Sequence, residues 1–112
     1  MTGCLFCKIR DGEIPAEIIY KDEDMIAFKD IHPKAPVHFL VIPQRHVANL
    51  FEVNADDEGL LGRIQLTIPT IAREQGLDSG FRTVLNTGPG GHQEVYHMHY
   101  HVLGGGPFTG FN

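Results

Sequence analysis

His97, His99 and His101 stand at alternate positions, separated by Met98 and Tyr100. In a β-strand, alternate side chains point to one face, so the three imidazoles would form a row spaced by about 6–7 Å. Imidazole serves as base, acid, nucleophile or metal ligand near neutral pH. A single strand histidine is ordinarily a satisfied structural residue. Three at period two are hard to explain by packing, because clustered imidazolium ions repel one another. Met98, Tyr100 and Val102 supply an apolar opposite face, so such a strand can still bury one side. Two chemistries remain for the row. One is a metal site. The other is a phosphate site, with one imidazole as nucleophile and the others as donors.

The residues just before the row favour phosphate. Asn86 offers a neutral side-chain donor, and Gly88-Pro89-Gly90-Gly91 is a loop whose backbone N–H groups can approach an anion closely. A glycine-rich loop alone is weak evidence, since most are only turns. Cys4-x-x-Cys7 is half a metal site, and alone it reads equally well as two thiols flanking a short helix. Asp30, in a loop before Pro33, is by itself a common turn former.

Composition narrows the classes. The chain has 112 residues, 42% apolar content, a formal charge of −5 and a pI near 5.7. One domain over residues 1–112 fits, with a modest core that dimerisation would extend. The acidic balance argues against a nucleic-acid surface but leaves room for a single nucleotide. No apolar run reaches membrane-span length, and no signal-peptide pattern appears. With two close cysteines, a cytoplasmic protein without membrane or nucleic-acid partners is expected.

The elements that must position these residues follow from local pattern. Leu5–Arg10 predicts a short helix ending near Gly12. Glu17–Lys21 and Met25–Lys29 predict a hairpin across Asp22-Glu23-Asp24. Residues 30–36 predict a loop, and His38–Ile42 a central strand ended by Pro43. Asn54 is a candidate N-cap for a helix from Ala55 to about Gln75, with acidic residues in its first turn. Pro69 falls inside it and predicts a bend. Phe81–Asn86 and Glu94–Leu103 predict two further strands. The sum is an α+β domain: an antiparallel sheet of about five strands, one long and one short helix, and helices packed on one face.

The pattern His97-Met98-His99-Tyr100-His101-Val102-Leu103 resembles the signature of the histidine triad superfamily. The resemblance extends to Phe6-Cys7-Lys8-Ile9, Gly12-Glu13-Ile14-Pro15-Ala16, Ala27-Phe28-Lys29-Asp30-Ile31, the run from Ala35 to Pro43, and Val95-Tyr96-His97. These segments look like the bacterial type of the Hint branch, the histidine triad nucleotide-binding proteins. His101 argues against the uridylyltransferase branch, which carries glutamine there.

That resemblance implies a homodimeric hydrolase of purine nucleoside phosphoramidates such as adenosine monophosphoramidate. His99 would attack the α-phosphorus and form a nucleotidyl-histidine, which water then cleaves. His101, Asn86 and the backbone from Gln93 to Val95 would hold the phosphate, and His38 would support the catalytic histidines. A carbonyl near His97 would set the His99 tautomer. Asp30 would bind the ribose. Phe6, Ile9, Ile14, Phe28 and Ile31 would enclose the base, although composition alone reads them as core. Glu94 stands where animal members carry serine, near the leaving group, and His92 replaces a usual glycine. No cofactor would be needed for catalysis. A structural zinc is implied on Cys4, Cys7, His46 and His97, with His46 in the turn Pro43-Gln44-Arg45-His46. Three other readings stay open: a dinucleoside polyphosphate hydrolase, a nucleotide-binding regulator with incidental turnover, and a pure metal-binding module.

Overall fold

The computed structural model describes residues 3–110. Helix α1 spans Leu5–Arg10, and the Cys4 sulfur caps it by accepting from the Cys7 N–H at 3.2 Å. Strands β1 (Ile18–Lys21) and β2 (Met25–Lys29) form the expected hairpin. Its turn is closed by Asp22, whose carboxylate accepts from the N–H groups of Asp24 and Met25 at 2.8 and 2.9 Å. Strand β3 (Val37–Pro43) pairs antiparallel with β2.

Asn54 starts the next helical segment with a capping box. Its side chain accepts from Asp56 N–H, and Asp57 accepts from Asn54 N–H. One 3-10 turn, Ala55–Asp57, comes first, and α2 then runs from Glu58 to Glu74 with Pro69 inside it. A proline there forfeits one backbone hydrogen bond. The burial of Ile64, Ile68 and Ile71, at helical spacing, supplies the compensating packing. Strand β4 (Arg82–Leu85) is shorter than expected by one residue at each end, and β5 spans Tyr100–Gly104.

The five antiparallel strands lie in the order β1-β2-β3-β5-β4. The two helices occupy opposite faces of this sheet rather than one. The alternation of β2 explains this: Met25 and Ala27 join α2 in one core, whereas Ile26 and Phe28 join Phe6 of α1 in another. Strand β3 divides in the same way, with Phe39 and Val41 on the α2 side and Leu40 and Ile42 on the α1 side.

The histidine segment differs in one respect from expectation. It enters the sheet only at Tyr100, and residues 94–99 are irregular. Pro43 explains the start point. Continuing the β3–β5 register beyond Val41↔Tyr100 would bring the ladder to Pro43, which has no N–H to give. Met98 N–H bonds to Val47 O at 2.7 Å instead. The alternation survives in the packing, since Met98, Tyr100 and Val102 all enter the α2-side core. Among the described residues, no helix is long and apolar enough to cross a membrane.

Candidate active site and metal centre

A cavity of about 570 Å³ opens on the α1 side of the sheet. Phe6, Ile9, Ile14, Phe28 and Ile31 line it together with Asp30, His38, Asn86, Glu94, Val95, His99 and His101. Phe6 meets Phe28 edge-on at 5.5 Å between centroids, and meets His99 edge-on at 5.0 Å. The apolar residues of one end therefore touch the histidines directly.

The hydrogen bonds of the imidazoles fix their tautomers. His99 Nδ1 lies 2.8 Å from the carbonyl oxygen of His97, so Nδ1 carries the proton and donates. Its Nε2 is then left with a lone pair. His38 Nδ1 accepts from the Lys34 N–H at 3.0 Å, so in neutral His38 the proton sits on Nε2. That Nε2–H donates to His101 Nδ1, 2.9 Å away, and it also lies 3.4 Å from Asp30 Oδ2. The remaining proton of His101 is consequently on Nε2. One backbone amide thus sets two rings in sequence.

Burial keeps the rings neutral. It pushes His99 below the ordinary histidine value, against the opposing pull of the His97 carbonyl, Asp30 and Glu94. His101 is pushed down to about 4, mainly by burial and secondarily by His99 and His38. His38 is lowered by burial despite Asp30. Asp30 is itself held in place: Oδ1 accepts from His32 N–H at 2.8 Å, and its own N–H donates to His38 O at 3.1 Å. A neutral nucleophilic nitrogen beside an N–H donor is suited to attack on phosphorus.

Gln93 falls outside the cavity. It is buried, its Nε2 donates to Ala48 O and Val95 O, and its Oε1 accepts from Gly88 N–H and Asn49 Nδ2. Its backbone N–H is also taken, by Gly88 O at 3.1 Å. The glycine loop is likewise not an open phosphate nest. Pro89–Gly91 curls into a 3-10 turn, with the N–H groups of Gly91 and His92 bonded back to Gly88 O and Pro89 O. Asn86 and the segment at Glu94 and Val95 remain as the cavity-side polar groups here. Sequence reasoning missed Lys34, whose contribution comes from a backbone amide that no side-chain motif displays. It also missed Val84, which strand alternation with Asn86 would have placed on the same face.

His97 stands behind His99. It is fully buried, and its Nε2 lies 2.8 Å from Pro43 O, which leaves Nδ1 as the acceptor. That Nδ1 is 3.4 Å from Cys4 Sγ and 3.5 Å from Cys7 Sγ, and Cys7 Sγ is 3.4 Å from His46 Nδ1. All four ligand atoms lie within 4.8 Å of one another. A tetrahedron built on zinc–nitrogen and zinc–sulfur bonds has edges of about 3.3–3.8 Å. The donor set, the spacing and the carbonyl that orients His97 all fit zinc.

Comparison with known proteins places the fold among relatives of one family. A family model described as "Scavenger mRNA decapping enzyme C-term binding" matches residues 3–109. An uncharacterized HIT-like protein of Synechococcus elongatus is 54% identical over 101 residues, covering 90% of this chain and 89% of that protein. The crystal structure of a HIT family hydrolase from Legionella pneumophila is 48% identical, covers 96% of both chains and superposes with a TM-score of 0.91. A histidine triad protein from Clostridium difficile is 40% identical, with a TM-score of 0.94 over 100% of this chain and 98% of that one. Sequence, fold and the histidine arrangement concur, and the chain belongs to the histidine triad (HIT) family.

Proposed function

We propose that this chain is a nucleotide-binding hydrolase of the Hint branch, cleaving the P–N bond of purine nucleoside 5′-phosphoramidates. The observation that carries this reading is the fixed pair of tautomers: a lone pair on His99 Nε2 beside a proton on His101 Nε2. The base lies between Phe6, Ile9, Phe28 and their neighbours, and Asp30 accepts from the ribose hydroxyls. His99 Nε2 attacks the α-phosphorus while the P–N bond breaks, and the leaving nitrogen takes a proton from solvent and departs as the amine. His101 donates to the phosphoryl oxygen as charge grows there. Water then displaces His99 from the nucleotidyl-histidine, releasing the nucleoside monophosphate. The relative named a HIT family hydrolase supports hydrolysis as the reaction class.

The test is AMP release from an adenosine phosphoramidate of a simple amine. His99→Ala should lower kcat/KM by about a thousandfold or more while AMP binding persists. Undiminished turnover by His99→Ala would overturn the reading. Faster cleavage of diadenosine tetraphosphate than of the phosphoramidate would favour a dinucleoside polyphosphate hydrolase instead.

We also propose that Cys4, Cys7, His46 and His97 hold a structural zinc, which would bind α1 to the sheet and take no part in the chemistry. Elemental analysis of protein purified without chelators should find about one equivalent of zinc per chain. Less than a tenth of an equivalent, with both thiols reduced, would rule it out.

A further inference from the structure

The cavity has a direction set by the strand order β1-β2-β3-β5-β4. Phe28 of β2, with Phe6 and Ile9 of α1, lines one end. His101 of β5 stands at the middle. Val84 of β4 is paired with His101, one strand further on, and His92 and Glu94 follow in the segment after β4. A nucleotide with its base at the aromatic end and its phosphate on His99 and His101 has the β4 end of the cavity open to its leaving group.

The lip at that end has an unusual backbone. His92 has φ 61 and ψ 35, and it is the one non-glycine residue with positive φ among the described residues. Glycine takes that conformation without steric cost, so an imidazole stands here against the preference of the backbone. The position is also rigid. His92 N–H bonds to Pro89 O at 3.1 Å, and the next residue is the buried, four-fold bonded Gln93. With Gln93 turned inward, His92 and Glu94 are both exposed and both line the cavity.

The charges facing this end are uneven. Glu94 acts on His99 from the β4 side and Asp30 from the ribose side. Lys34, on the loop between β2 and β3, acts on His38 and His101. No salt bridge among the described residues engages Glu94. Beneath it, Val84 is 37% exposed and Leu103 adds a second apolar side chain to the lining.

We propose that His92 and Glu94 form a leaving-group subsite that selects phosphoramidates of amines carrying a second positive charge, with His92 as a specificity-determining residue. The Glu94 carboxylate pairs with the distal ammonium. His92 accepts from it through the unprotonated ring nitrogen and covers the alkyl stem, which runs over Val84 and Leu103. The subsite rests on the phosphoramidase reading given above.

Two adenosine phosphoramidates test it, one of putrescine and one of n-butylamine. The native chain should favour the putrescine conjugate in kcat/KM by about threefold at low salt, as befits an exposed ion pair. Added salt should shrink that ratio. Glu94→Gln should bring the ratio towards one; His92→Gly, which suits the local φ and should fold, should lower it part of the way, and His92→Asn, which keeps an acceptor, should retain most of it. Equal rates on both conjugates with the native chain, or an unchanged ratio in His92→Gly, would overturn the subsite. If neither conjugate is cleaved, the phosphoramidase reading fails instead. The Kd values of the two conjugates for the His99→Ala protein then decide the subsite, equal values rejecting it.

Discussion

At His38 a main-chain amide takes the place that a carboxylate often holds beside a working imidazole. Lys34 N–H fills the Nδ1 lone pair, and this choice passes through His38 Nε2–H to His101. His38→Leu would leave His101 Nδ1 without its donor. The proton on His101 would then be free to sit on either nitrogen. We expect kcat/KM on a simple phosphoramidate to fall by about ten- to a hundredfold, the usual effect of losing an orienting partner. Steady-state kinetics check this, and an unaltered rate would show that His101 is oriented by something else. Asp30→Asn should act on binding: the amide offers the ribose hydroxyls one acceptor oxygen in place of two and no charge, so AMP affinity should weaken by about tenfold while kcat changes less. Isothermal titration with AMP measures it.

Helix α1 is where two sites meet. Cys4 and Cys7 turn towards His46 and His97, whereas Phe6 and Ile9 line the cavity. A six-residue helix has little stability of its own and depends on what it packs against. Removing the proposed zinc should therefore loosen the base slot. We expect AMP to bind about tenfold more weakly to chelator-stripped protein, and by reciprocity AMP should tighten metal binding by the same factor. Titration calorimetry and a chromogenic chelator read the two effects, and equal AMP affinity with and without metal would uncouple the sites.

The elements were legible in the sequence where local rules decide them. Asp22 and Asn54 close a turn and cap a helix through their own side chains, and both could be read directly. Their partners along the chain could not. The face taken by α1 depends on Ile26 and Phe28 being buried as deeply as Met25 and Ala27, which makes β2 apolar on both sides. The pattern predicts a buried strand but not which helix covers which face. The late start of β5 depends on Pro43, which is distant in sequence and adjacent in register. The candidate site was legible in its side chains, the histidines, Asp30, Asn86 and the cysteine pair. The closed 3-10 turn and the Lys34 amide were not, because their roles lie in backbone bonds.

For the molecule as a whole, the depressed imidazoles make stability depend on pH. His101 has a folded-state value of about 4 against an ordinary 6.5. Above the ordinary value both folded and unfolded chains carry it neutral, so stability is level. Between the two values the unfolded chain binds a proton that the folded chain refuses, so stability declines as pH falls. Thermal melts should show Tm lower by about 5 °C or more at pH near 4 than at pH 7. His101→Gln should reduce that difference. A melt independent of pH across this window would mean that His101 is not held neutral. Leu66 on α2 is 80% exposed and Phe51 is 81% exposed. We propose that a second copy covers Leu66: sedimentation should then report a dimer that Leu66→Glu weakens, and a monomer would reject it.

Cys4 and His97 are separated by 93 positions, and Phe6 reaches His99 across a similar span. Long-range closures of this kind form late in folding. Helix α1 can seat Phe6 on Phe28 once β2 has formed, but its contacts with His97 and His99 wait for the histidine segment. A prematurely ended chain that lacks this segment has the aromatic side of the pocket without the histidines that face it. Its cysteines are left without His97, and the Phe6 ring loses the cover of His97 and His99, which leaves apolar surface open to association.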